Sequence, residues 1–214
     1  MRNIIKDEKE MKNKRELMIQ NGFKLFASKG IENVSMQEIA DECKIGVATL
    51  YRYYNTKLDL VLDIGTRMWS DFGLKVQKKR EELKPEDMDA YHELDFYLDF
   101  YIDLYANHKD LLRFNQEFNI YIVKEHPAKE KIAPYVMAIS TFARMFHNLY
   151  EKGKIDKTIK TDLSEEKMFA STCHIMMAVI VRYAQGLLYQ SVESDKTEEV
   201  LLLKKMILNE FKNE

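Results

Sequence analysis

Glycine and proline are scarce in this chain, seven and three among 214 residues. So few turn-formers exclude a many-stranded sheet with its frequent tight turns, and favour long helices rich in Leu, Lys, Glu, Met and Ile. Cysteine is scarcer still. Cys43 and Cys173 lie far apart with no CxxC spacing, which excludes a disulfide scaffold, and each reads as a small buried hydrophobe. Long apolar runs are missing too: the longest uncharged stretch, Met168 to Val181, falls short of the ~18 residues that suggest a membrane span. The opening MRNIIKDEKEMKNK has no apolar secretory core, so the expected compartment is a reducing cytoplasm, with no membrane partner. Enzyme signatures are also lacking. There is no GxSxG, no phosphate-binding GxxxxGK, no HExxH and no pair of ExxH steps, and His92, His108, His126, His147 and His174 share no metal-ligand spacing. The expectation is a protein that is not an enzyme and has no cofactor or metal.

Nearly half the residues, 46%, are apolar, enough for a sizeable core, and the fold class expected is all-α. Charge is unevenly spread: residues 1–57 carry a balance of +3 and the remainder −5, a mild asymmetry that puts the positive end at the N-terminus. In RELMIQNGFKLFASKG, Ile19, Phe23 and Phe26 recur at helical spacing, and Gly30 is placed to end the helix in a left-handed conformation. Ser35 and Glu38 form a capping box that opens a short second helix. After a tight turn at Cys43, Lys44 and Ile45, a third helix spans about 46–54, and Thr56 with Asp59 opens a fourth. A break is expected near Pro85, followed by helices at about 86–106, 109–124, 133–152, 164–190 and 196–212.

The stretch GVATLYRYYNTK concentrates phenols. At 100° per residue Leu50 and Tyr54 share one face, directed inward, while Thr49, Arg52 and Tyr53 lie on another arc. A short helix, a three-residue turn and a second short helix, with the small Ala40 allowing close approach, make a helix-turn-helix pattern. LFASKGIENVSMQEIADECKIGVATLYRYYNTKLDLV resembles the DNA-binding segment of the TetR (tetracycline-repressor-like) family in its SMxEIA, its TLYxY and the Lys that opens helix four. Lys44 stands where many relatives have a turn glycine, Gly46 where they have a serine cap, and Gly22 where a better helix former is common.

The resemblance implies an N-terminal DNA-binding domain over residues 1–57, joined through helix four to a helical ligand-binding and dimerisation domain over 58–214. It implies that Val47 and Ala48 face base edges, that Thr49, Tyr51, Arg52 and Tyr53 contact phosphates or nearby bases, and that Ser35 and Lys57 donate to phosphates. The partners implied are double-stranded DNA with a near-palindromic operator, a second copy of the chain through the last two helices, and a small-molecule effector.

In YHELDFYLDFYIDLYANH, Asp95, Asp99 and Asp103 form a narrow stripe beside His92, read as a solvated helix face rather than a metal site. Tyr97, Tyr101 and Tyr105 form a row that serves either as pocket lining or as plain core; both readings stand. The effector-pocket candidates are Trp69, Tyr97, Tyr101, Tyr105, Phe118, His147 and His174. Along residues 164–190, Ser171, His174, Ala178, Arg182 and Gln185 lie on one side and Phe169, Met176, Ile180, Tyr183 and Leu187 on another, as in a helix occupied on both faces. The reading is a ligand-responsive transcription regulator, a repressor released from its operator by a small hydrophobic molecule. The alternative is a ligand-binding or protein-interaction module of the same fold without DNA recognition.

Overall fold

The scarcity of turn residues has its counterpart in a computed structural model that describes residues 4–84, 87–186 and 195–213. The elements are α1 (Ile4–Lys29), α2 (Met36–Glu42), α3 (Val47–Tyr53), α4 (Lys57–Glu82), α5 (Ala90–Asn107), α6 (Lys109–Glu125), α7 (Lys129–Asp156), α8 (Glu165–Gln185) and α9 (Thr197–Phe211). Among the described residues the one extended pairing is an isolated antiparallel bridge between Ile159 and Lys212. The all-α expectation holds.

Several boundaries differ from those expected, for identifiable reasons. The first helix begins well before Arg15, at Ile4, through a stretch too charged to show an apolar stripe. Asp89 accepts from the His92 N–H and starts α5 at Ala90 rather than at 86; Pro85 and Glu86, where the break was expected, lie outside the described residues. In α7 the Lys131 and Ile132 N–H groups already donate to the Ala128 carbonyl, so Pro134 sits inside the helix instead of opening it. The described part of α8 ends at Gln185, and residues 187–190, Leu187 among them, lie outside the described residues.

The chain groups into two compact units, Met1–Trp69 with Arg113–Val136, and Ser70–Leu112 with Met137–Glu214. In the first unit Met18, Phe26, Ile31, Ile39, Leu50, Leu60 and Ile64 are fully buried. Each such side chain contributes about 1.5–3 kcal/mol on leaving water. An aromatic file continues this core: Phe23 meets Phe114 at 5.6 Å, Phe114 meets Phe118 at 5.7 Å, and Phe118 meets Tyr135 at 4.4 Å. Two glycines make the packing possible. A Cβ at Gly65 would stand 2.8 Å from the Phe118 ring, and one at Gly22 would stand 2.8 Å from Ile64 Cδ1. Gly22, expected to cost helix stability, thus brings α1 close to α4.

The second unit is built on α5, which packs against α8 and α9. Leu94, Leu98, Phe100 and Leu104 are buried along it with Tyr97, Tyr101 and Tyr105. The acidic stripe is partly exposed, as a solvated face would be, but its carboxylates are paired across helices. Lys204 of α9, itself largely covered, places its ammonium 2.8 Å from Asp95 and 2.5 Å from Asp99, and Lys79 lies 3.6 Å from Asp103. Glu93 is buried between Arg80 at 2.9 Å and Lys152 at 3.0 Å. A buried carboxylate without such cations would be strongly destabilising.

Candidate nucleic-acid interface

The interface is assembled by local hydrogen bonds that the sequence spells out. Ser35 has extended backbone, and its hydroxyl accepts from the Glu38 N–H at 3.1 Å, satisfying one free donor at the start of α2. Glu38 is held below the usual carboxylate range first by its hydrogen bond to Lys29, and also by the Ser35 backbone N–H, which completes the capping box. Helix α2 ends in a tight turn in which the Lys44 N–H donates to the Asp41 carbonyl and the Ile45 N–H to the Ala40 carbonyl, both at 3.0 Å. Lys44 adopts φ 55°, the left-handed conformation anticipated where relatives carry glycine.

Helix α3 then starts at Gly46, whose carbonyl accepts from the Thr49 N–H at 2.8 Å and the Leu50 N–H at 3.3 Å; no side chain caps it. Leu50 is completely buried, and Tyr54, the C-cap, is buried with its hydroxyl donating to Asp63 at 2.6 Å. Burial first, and the Asp63 carboxylate second, push the Tyr54 phenol well above its ordinary value. The inward assignment of these two residues is correct. Asp63 was not anticipated: it also receives Arg15 of α1 through Nε and Nη2, both at 3.0 Å, so one carboxylate ties α1, the end of α3 and α4 together.

The opposite surface of the helix-turn-helix is left open. Ser35, Ala48, Tyr51 and Arg52 are exposed, and Val47, Thr49 and Tyr53 are half-buried at its edge. Lys57 behaves differently from the others. Its ammonium lies 3.5 Å from the Glu32 carbonyl and rests over the Phe26 and Tyr121 rings at 5.8 and 5.9 Å, and burial lowers its pKa. Thr56 and Asp59 form the second capping box, the Thr56 N–H donating to Asp59 at 2.9 Å and the Asp59 N–H to the Thr56 hydroxyl at 3.2 Å.

The effector candidates divide between the two units. Trp69 and Phe118 are buried in the first unit, Phe118 beside Tyr135. Tyr97, Tyr101 and Tyr105 are buried in the second. Their hydroxyls have partners: Tyr101 is hydrogen-bonded to both Tyr97 and Cys173, and Tyr105 accepts from the Lys196 backbone N–H at 3.0 Å. Cys173 is half-buried rather than fully so. His174 and His147 are exposed. His147 and Glu151 are one turn apart on α7 and converge with Glu165 of α8, their ligating atoms within 4.8 Å of one another. The His147 Nδ1 lies 2.9 Å from Glu165 and Glu151 lies 2.9 Å from Lys154, ordinary ion-pair geometry on a surface.

Comparison with known proteins bears on the open surface. The sequence pattern of bacterial regulatory proteins of the tetR family matches residues 18–64, spanning the end of α1 to the first turns of α4. The chain carries a tetR-family head. It is 46% identical over 54 residues to YuxN of Bacillus subtilis (strain 168), an uncharacterised HTH-type transcriptional regulator, a match covering 25% of this chain and 19% of that protein. It is 27% identical over 160 residues to an HTH-type transcriptional regulator of Staphylococcus aureus (strain MRSA252), covering 75% of this chain and 78% of the relative. The chain therefore spans about a fifth of the first relative's length and most of the second's. The tetR-family head is joined to a body of matching fold: the transcriptional regulator FadR of Bacillus subtilis, solved in complex with stearoyl-CoA, superposes with a TM-score of 0.66 at 13% identity over 91% of this chain and 98% of that one. No described helix is long and apolar enough to cross a membrane.

Proposed function

We propose that this protein is a cytoplasmic, ligand-responsive, sequence-specific DNA-binding transcription regulator, a repressor that holds a near-palindromic operator as a homodimer and is released by a small hydrophobic molecule. The observation that carries this reading is the division of α3 into two faces. Leu50 and Tyr54 lock the helix into the head, while Ala48, Tyr51 and Arg52 stand in solvent on the other side with Thr49 and Tyr53 at the margin. A surface of methyl, phenol, hydroxyl and guanidinium groups suits a DNA groove: Val47 and Ala48 meet thymine methyls, and Tyr51, Arg52, Tyr53 and Ser35 hold sugar and phosphate. In this reading Lys57 reaches a phosphate only by leaving its place over the Phe26 and Tyr121 rings.

One head covers a short site, so specificity requires two heads about 34–36 Å apart on B-DNA. In support of a homodimer, α8 exposes Ser171, His174, Ile175, Ala178 and Arg182 along one face, and α9 exposes Leu202 and Met206, apolar surface that a second copy would cover. For the effector, the complex of B. subtilis FadR with stearoyl-CoA makes a long-chain acyl thioester the first compound to titrate. A coupling of about 1–3 kcal/mol would act in both directions, effector weakening DNA and DNA weakening effector. The test is fluorescence anisotropy on the promoter upstream of the protein's own gene. Tight binding to that duplex and not to a scrambled one, with two protomers per site, is the expected result; equal affinity for both duplexes overturns the reading.

A further inference from the structure

Helix α1 begins at Ile4, well before the matched residues 18–64. The head therefore carries a helical extension whose purpose the tetR-family pattern does not supply. Its outer part, from Glu8 to Asn13, is exposed all round, and Met11 is among the exposed apolar side chains. An isolated helical segment exposed on every side gains nothing from packing, so its role has to be sought where it first touches the head.

That point is Lys14 and Arg15. Arg15 grips Asp63 through two hydrogen bonds of 3.0 Å, and the same carboxylate takes the hydroxyl of Tyr54, the residue that ends the recognition helix. Glu16 adds an ion pair to Arg67 of α4 at 3.3 Å. These contacts fix α1 beside the last turn of α3 and bring Lys14 into the electrostatic neighbourhood of Arg52 and Tyr53. Lys14 directly precedes Arg15 and so lies on α1 where that helix meets the end of α3, near whose C-terminal turn Arg52 is exposed. The anion beside Lys14 is Glu10, one turn earlier on the same helix at 2.8 Å, with both side chains well exposed. An exposed pair of that kind contributes little and is readily exchanged for a stronger anion.

We propose that Lys14 is a DNA-binding residue: α1 flanks the recognition helix, and Lys14 with Arg52 grips the phosphate backbone at the edge of the groove that α3 enters. Lys14 supplies charge and not base recognition, so it strengthens binding to every duplex alike while the outward face of α3 chooses the sequence. Glu10 holds the ammonium in place until phosphate displaces it. This rests on the DNA-binding reading above and extends it to a segment outside the matched residues.

The test is the salt dependence of DNA binding by the full-length protein, measured by anisotropy over a potassium chloride series on the promoter duplex and on a scrambled one. For K14Q the log–log slope should become shallower by about 1.8, one phosphate's worth from each of the two protomers, with affinity lowered by the same factor on both duplexes. K14R should restore both. The substitution lies on an exposed side chain, so a thermal melt superimposable on wild type is expected to accompany the change. A K14Q slope equal to that of a wild type that does bind overturns this inference and leaves the DNA-binding reading intact. A loss confined to the promoter duplex also overturns it, since that would make Lys14 a base reader. A wild type that forms no salt-sensitive complex overturns both.

Discussion

The head and the α5 core handle the same chemical group, the tyrosine phenol, in opposite ways. In the head, Tyr51 is exposed and Tyr53 half-exposed, while Tyr54 alone turns inward to Asp63. In α5 Tyr97, Tyr101 and Tyr105 are buried, and each is answered from another helix or by a neighbour on the same one. The head therefore keeps its polar groups for a partner outside the chain, and the core uses them to join its own elements. The difference predicts where substitution damages folding and where it damages recognition.

The largest effect should come from the buried side of the recognition helix. Leu50→Ala opens a void in the first unit and should cost about 2–5 kcal/mol, read as a fall in the melting temperature, with DNA binding lost only as a consequence. Next comes the pairing of α9 with α5. Lys204→Ala leaves Asp95 and Asp99 side by side without their cation, and because Lys204 is mostly covered while its partners are half-exposed, the loss should lie at about 1–3 kcal/mol in urea unfolding. The reverse pattern belongs to Tyr51→Ala: stability within about 0.5 kcal/mol of wild type, and DNA affinity down by about tenfold. If Tyr51→Ala destabilised the protein as Leu50→Ala does, the contrast between the two faces of α3 would be broken. Ser35→Ala should lower stability by about 1 kcal/mol through loss of the α2 cap, and K44G should change it in the opposite direction by releasing a strained backbone.

The smallest effect concerns pH. His108, the C-cap of α5, packs edge-on against Phe72 at 5.3 Å. Burial lowers its pKa below the ordinary value near 6.5, against the pull of Asp103 and with the help of Lys75 and Lys79. A depressed value means that the folded form resists the proton, so the associated stability is full above pH 6.5 and is lost as pH falls through the folded value. Thermal melts of wild type and H108N between pH 7.5 and about 5 should converge as acidity increases; a constant gap would remove His108 from the account.

What could be read in the sequence follows the same division. Both capping boxes, the left-handed turn at Lys44, the glycine end of α1 and the inward pair Leu50 and Tyr54 depend on residues within a few positions of each other, so each is spelled by local spacing. The partners of the acidic stripe were not legible. Lys204 is 105 positions from Asp99, and nothing in either helix marks which basic residue the fold will bring across. The same holds for Asp63, whose role in joining Arg15 to Tyr54 is set by the packing of three helices. Among the pocket candidates, aromatic type was a fair guide to burial for Trp69, Phe118 and the three tyrosines, but histidine was not: His147 finds Glu165 at the surface. A side chain that is neither clearly apolar nor permanently charged has no fixed side on which to lie.

Asp63 gives the head its mechanics. A single carboxyl group receiving a fork of two bonds from one helix and a phenol from the end of another behaves as a three-way rivet near the root of α4. Twisting or tilting that root cannot slide it past its neighbours without shearing all three bonds at once. The reading helix would then travel as cargo on α4, its aim altered and its shape preserved.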